Sequence, residues 1–235
     1  MSKHKDFILT NYTEVIENTV NASRGISMSI GSYGICEYVF QTLFLKLTGA
    51  SEQKMKCLCW EMGTEDYDFR RDYLENNGKY GEMSNYDSKK YVYQNLVKII
   101  KKSEDVFNVS AFIDKSIILP EVKTFILNTF NDTMLCSWNI RDYNNFGELF
   151  DKVFLPEFVA RNDNELLAGN LFNAYDKLYS HRNRCAHNLL SYQQNLPSLR
   201  ELSSDDYKYE NYYIRFALLM VIDRVFIELY KKFIS

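Results

Sequence analysis

Arg182, Asn183 and His187 stand within the string Ser-His-Arg-Asn-Arg-Cys-Ala-His-Asn over residues 180–188, and their types suit phosphate-ester chemistry. A histidine exchanges protons near neutrality because its unperturbed pKa is about 6.5, and a positioned acid or base contributes roughly 10² to 10⁴ in rate. An arginine keeps its charge and offers a planar fork of donors to phosphate oxygens. On a helix, two residues five apart point about 140° away from each other. Arg182 and His187 therefore converge only if the helix ends or bends between them, or if two chains share the work.

The elements that must position these residues read as helices, because apolar residues recur three and four apart and no sustained strict alternation is found. The class is all-α. A first helical pattern covers about Phe7 to Val20 and ends near Ser23 and Gly25. A second, strongly apolar one runs from about Ser27 to Leu47, with Gly49 as its stop. From Met62 to Ser88 the chain turns polar, with Asn76, Asn77, Gly78, Gly81 and Asn85, and reads as a surface excursion. Tyr91, Tyr93, Leu96, Ile99 and Ile100 then form one helical face that ends at Lys101 and Lys102.

Pro120 fits the first turn of a helix reaching about Phe130, and Pro156 opens or kinks a helix around Phe154 to Val159. Asn162 or Asp163 can cap the next helix, whose Leu166, Leu167, Leu171, Tyr175 and Leu178 lead into the 180–188 string. A long final helix is expected from about Tyr207 to Phe233. Its apolar face is so wide that it belongs in the middle of a bundle or at a dimer interface. The 235 residues suffice for one domain, with residues 163–235 carrying the motif-bearing helices.

Composition narrows the function classes. The chain is 46% hydrophobic and 15% aromatic with nine Gly and three Pro, which favours a compact fold over a disordered one. A formal net charge of −3 supplies no overall cationic field for nucleic acid, so any such contact must be local. No stretch approaches the roughly 20 apolar residues of a membrane span. Five scattered cysteines without a signal-peptide pattern read as reduced thiols in a cytoplasm. Cys57 and Cys59 lack the spacing and partners of a zinc site and read as packing thiols. No Walker loop or His-Glu-x-x-His string is present, so neither metal nor cofactor is expected. Asp66, Asp68 and Asp72 read as solvated acids, and Arg215 and Asp223 within the last helix as reaching either the motif or each other, with a structural ion pair as the preferred reading.

The Arg182-Asn183-x3-His187 arrangement, set behind an amphipathic helix and ahead of a long apolar one, resembles the R-x4-H motif of the HEPN superfamily of small α-helical bundles. The likeness covers the C-terminal third best; the first 160 residues match in being helical. It implies a HEPN-like bundle with additional helices and a polar surface insertion. It also implies a metal-independent endoribonuclease of a toxin–antitoxin or antiviral system, with RNA as partner and an antitoxin or sensor protein as a further one. In such chemistry a base takes the 2′-OH proton, an acid protonates the leaving 5′-oxygen, and a cation holds the pentavalent phosphorane, giving a 2′,3′-cyclic phosphate. By the same resemblance Asn183 orients the Arg or His, and a homodimer brings two motifs to one composite site, with the apolar final helix as a possible interface.

Arg184 and His181 are candidates for further phosphate contacts, against readings as an ion-paired side chain and a helix C-terminal cation. Some relatives of this kind carry a Tyr two residues after the His, where this chain has Leu189. Some carry an acid followed four residues later by Lys or Arg in an early helix. Glu37 is followed by Gln41, so half of that feature is present there, and Glu37 reads either as an orienting partner of the Arg or as a rim carboxylate. The alternative to an enzyme is a catalytically silent helical module that binds a nucleotide or a protein partner.

Overall fold

A computed structural model describes residues 3–27, 29, 31–75, 83–154, 159–187 and 210–235, apart from the side chain of His187. Two short helices, α1 (Lys3–Leu9) and α2 (Thr13–Ser23), stand where the sequence suggests one. Asn11 separates them: its Oδ1 accepts from the Thr13 amide at 3.0 Å, and a side chain that captures local backbone in this way competes with helix continuation.

The longest element, α3 (Ser32–Glu65), passes through Gly49 instead of stopping there. An interior glycine costs about 1 kcal/mol relative to alanine. The helix buries Phe40, Leu43, Phe44, Leu47, Met55, Leu58 and Met62, each contributing roughly 1.5–3 kcal/mol. Tertiary burial therefore outweighs the local stop signal. The polar stretch after it is also more than a surface excursion. It holds α4 (Tyr67–Glu75), and Met83, Ser84 and Ser88 are buried; residues 76–82 lie outside the described ones.

Helix α5 (Tyr86–Ser103) is capped by Asn85, whose Oδ1 accepts from the Ser88 amide at 2.8 Å, and ends at Lys101 and Lys102 as its charge pattern suggests. A single turn, α6 (Val109–Phe112), precedes α7 (Lys115–Phe130). Pro120 is not at the first turn of α7: Asp114 caps it one turn earlier, accepting from the Ser116 amide at 3.0 Å. Helices α8 (Met134–Trp138) and α9 (Ile140–Val153) follow. Pro156 lies outside the described residues.

Asn162 and Asp163 cap no helix. They belong to a small antiparallel hairpin, β1 (Val159–Asn162) and β2 (Glu165–Leu167), with Leu166 and Leu167 buried on its second strand. Asn162 Oδ1 accepts from the Asn164 amide at 2.9 Å, which is turn chemistry and not a cap. Gly169, at φ 56°, takes the left-handed conformation that starts the motif helix, α10 (Asn170–His187).

The last helix, α11 (Tyr212–Phe233), is buried on nearly all sides by α1, α3, α5, α7, α9 and α10. Asn211 caps it, accepting from the Tyr213 and Ile214 amides while donating to the Asp142 carbonyl at 2.8 Å. Its wide apolar surface is thus spent within its own bundle and leaves no face for a dimer interface. The described chain is all-α apart from the hairpin, with one connected core. No helix among the described residues is long and apolar enough to cross a membrane.

Candidate active site around Arg182

Helix α10 buries Leu171, Ala174, Tyr175 and Leu178, the spacing of a single helical face. Tyr175 fixes its depth, since its hydroxyl donates to the Ser84 carbonyl at 2.6 Å in the interior. Beyond this anchor the helix continues without a break through Arg182 and Asn183 as far as His187, the last described residue of this stretch. The helix end that would turn Arg182 and His187 towards each other is therefore not between them.

Arg182 is half-buried. Its Nη1 donates to Asn183 Oδ1 at 3.1 Å, and its Nη2 lies 3.6 Å from Glu52 Oε2 on α3. Glu52 is held from a second side by Lys56 one turn later, at 2.8 Å. Beneath them Lys89 of α5 is buried, with Nζ donating to the Met83 carbonyl at 2.6 Å. Burial pushes the Lys89 ammonium down to about 7; the Glu52 carboxylate opposes that shift and the Arg182 guanidinium adds to it. Lys89, Tyr175 and Arg182 line one small recess together with Thr48 and Ser51 of α3. The result is one arginine whose direction is set by an amide and a carboxylate, with a buried amine behind it that burial keeps only partly charged near neutrality.

The neighbouring residues of the motif string form a second cluster. Tyr212 of α11 donates its hydroxyl to Glu37 Oε1 at 3.1 Å, and its oxygen lies 3.2 Å from His181 Nε2. With the tyrosine's only proton committed to Glu37, His181 must donate from Nε2. Its bare Nδ1 then faces the Arg184 guanidinium at 3.5 Å, so both contacts agree on one tautomer. Burial pushes the His181 imidazole down to about 2, and the Arg215 and Arg184 charges push the same way. His181 is neutral and packed against Phe44 and Tyr212, which removes it both as a cation for phosphate and as a charged helix end.

Arg184 and the buried Arg215 share Glu210, Arg184 at 3.4 Å. Arg215 and Asp223 do not pair with each other: Asp223 Oδ1 accepts from Lys54 Nζ at 2.7 Å. Glu37 neither orients Arg182 nor stands alone in solvent; besides Tyr212 it accepts from Gln41 Nε2 at 2.8 Å. Asp66 is likewise not a free acid, because Lys102 donates to it at 2.5 Å. The local excess of positive charge that an acidic protein would need for RNA is thus largely matched by Glu52 and Glu210.

Glu52 and Lys89 are the residues that sequence reasoning missed. An i,i+4 Glu-Lys pair at 52 and 56 was available as a signal for the first. For Lys89 no signal distinguishes it from its half-buried neighbour Lys90 except that position 89 shares a helical face with Val92, Tyr93 and Leu96. The five cysteines are free thiols. Among the described residues no three His, Cys, Asp or Glu side chains come close enough together to hold a metal ion. Comparison with family models, with curated proteins and with solved structures returned no match to this chain.

Proposed function

We propose that the chain is a metal-independent endoribonuclease of the HEPN type, with Arg182, Asn183 and His187 as one half of a site completed by a second copy. The observation that carries this reading is the Arg182 guanidinium, half-buried and directed by Asn183 and Glu52 on the helix that also carries His187. The acid-then-lysine spacing that accompanies the motif in the resembled superfamily occurs here at Glu52 and Lys56, and Glu52 is the acid that meets Arg182. In the reaction, the 2′-oxygen attacks the adjacent phosphorus after losing its proton, the bond to the 5′-oxygen breaks, and that oxygen takes a proton. Arg182 stabilises the charge on the phosphorane, and His187 serves a proton step. The unbroken α10 favours a composite site, because Arg182 and His187 of one chain lie on different faces of it. A toxin–antitoxin or antiviral setting in a cytoplasm follows from the resemblance alone.

A second reading, a silent module binding a nucleotide or protein, draws on the carboxylate partners of Arg182 and Arg184, which occupy the donors that phosphate would need. One experiment separates the two. Single-stranded RNA is incubated with the purified chain and with Arg182→Ala and His187→Ala, with and without EDTA. The nuclease reading expects cleavage to 2′,3′-cyclic ends that survives EDTA and falls by roughly 10² or more in each variant. Equal activity, or equal inactivity, in all three proteins overturns it.

A further inference from the structure

Helix α3 keeps one ridge open to solvent along most of its length. At 100° per residue, Tyr38, Lys46, Glu52, Lys56 and Trp60 fall within an arc of about 120°, and the helical rise sets Tyr38 and Trp60 about 33 Å apart. Tyr38 is 69% exposed and Trp60 66%. Aromatic side chains normally contribute large buried areas, so two left this open on one ridge point to a ligand that covers them. The His4 ring meets that of Trp60 at 5.9 Å and still leaves most of the indole to solvent.

The charges on the ridge select the kind of ligand. In a chain of net charge −3, the exposed residues of α3 from Tyr33 to Trp60 include Lys46 and Lys56 and no carboxylate. Glu52, half-buried at the edge of the ridge, faces both Lys56 and Arg182, so Arg182, Lys46 and Lys56 together outnumber it. Open rings interleaved with cations suit a single nucleic-acid strand, whose splayed bases stack on the rings while its phosphates meet the cations. A duplex keeps its bases stacked on one another and has no ring face to offer. We propose that the exposed ridge of α3 is the track for a single-stranded RNA substrate, with bases stacked on Tyr38 and Trp60 and the backbone carried past Lys46 and Lys56 to Arg182. What happens at Arg182 rests on the nuclease reading above; binding along the ridge is measurable without cleavage.

A labelled single-stranded 2′-O-methyl oligoribonucleotide lacks the attacking hydroxyl, so its binding to the full chain, read by fluorescence anisotropy, is separate from catalysis. The single strand is expected to bind saturably and more tightly than the same sequence paired in a duplex. Tyr38→Ala and Trp60→Ala should each weaken binding about tenfold, with Trp60→Phe keeping most of it. Lys46→Glu should weaken it and flatten its salt dependence, and do so more than Lys98→Glu, an exposed lysine of α5 that serves as the control for charge. The track is overturned by an absence of saturable binding, by duplex binding as tight as that of the single strand, by unchanged binding in either alanine variant, or by equal losses in Lys46→Glu and Lys98→Glu. If ordinary RNA is cleaved all the same, the nuclease reading stands without the track. Ridge-dependent binding with no cleavage of ordinary RNA keeps the track and removes the nuclease reading.

Discussion

Glu52 Oε2 and Arg182 Nη2 lie 3.6 Å apart and join the middle of α3 to the closing turns of α10. The separation is too long for a hydrogen bond and both side chains are about one-fifth exposed, so the pair itself contributes at most about 1 kcal/mol. Its larger consequence is direction: the carboxylate restricts where the guanidinium points. Glu52→Gln is therefore expected to lower the free energy of unfolding by about 1 kcal/mol or less while reducing RNA cleavage well beyond that, measured as kcat against denaturant stability. Glu37→Gln, which does not touch Arg182, should leave cleavage near the wild-type rate. The same loss in both variants would refute an orienting role for Glu52.

His181 should tie stability to acid. Its folded-state pKa is depressed to about 2 from an ordinary value of 6.5, so between those limits the unfolded chain binds a proton that the native one refuses. The contribution of His181 is accordingly full above about pH 6.5 and is lost as pH falls below it, with a slope approaching 1.4 kcal/mol per pH unit. Urea midpoints of the wild type and of His181→Phe, compared from pH 7.5 to 4.5, should diverge with the wild type falling more steeply. Parallel profiles would show that His181 is not held neutral.

Lys89 titrates in the opposite range. Burial depresses its folded-state value to about 7 against 10.5 in the unfolded chain. Between those two values the unfolded chain carries the extra proton, so native stability rises with pH there, and below about 7 the buried charge opposes folding in full. Lys89→Met removes the titration. The wild type should gain on this variant by up to about 1.4 kcal/mol per pH unit from pH 7 towards 10, followed by chemical denaturation. A difference independent of pH would exclude a buried, titrating amine.

The Lys54–Asp223 pair is almost wholly enclosed, with side chains 3% and 2% exposed. Removing one member strands the other charge in the core, so Asp223→Leu alone should destabilise the fold by about 3–5 kcal/mol. Lys54→Met with Asp223→Leu should recover most of that loss, because two apolar side chains of similar volume leave no charge behind. Calorimetric melting of the two variants distinguishes these cases, and a double variant as unstable as the single one would contradict the account.

The fold class was legible because helical periodicity is written over long stretches, as in the buried face of Leu171, Ala174, Tyr175 and Leu178. The hairpin was not: with four and three residues its strands are too short to show alternation, and Leu166 and Leu167 read as the start of the helix that follows. Within the site, Arg182 and Asn183 could be chosen by chemical type alone. Their partners could not, because a carboxylate 130 residues away meets Arg182 only through the crossing of α3 and α10. Glu37 was the more conspicuous acid in sequence for sitting among apolar neighbours, yet its partners are Gln41 and Tyr212.

Gly49 shows the same competition between local and tertiary signals in a form that can be measured. It lies inside α3, and a methyl group built on it would meet nothing within 4 Å. Its backbone is helical, so alanine fits without strain, and the glycine contributes only extra freedom to the unfolded chain. Gly49→Ala should raise the unfolding free energy by about 0.5–1 kcal/mol and leave the fold unchanged, as read by urea denaturation and far-ultraviolet circular dichroism. A loss of stability would mean that α3 is interrupted at this point, as the sequence alone suggests, and that Glu52 is not carried on the same continuous helix as Glu37.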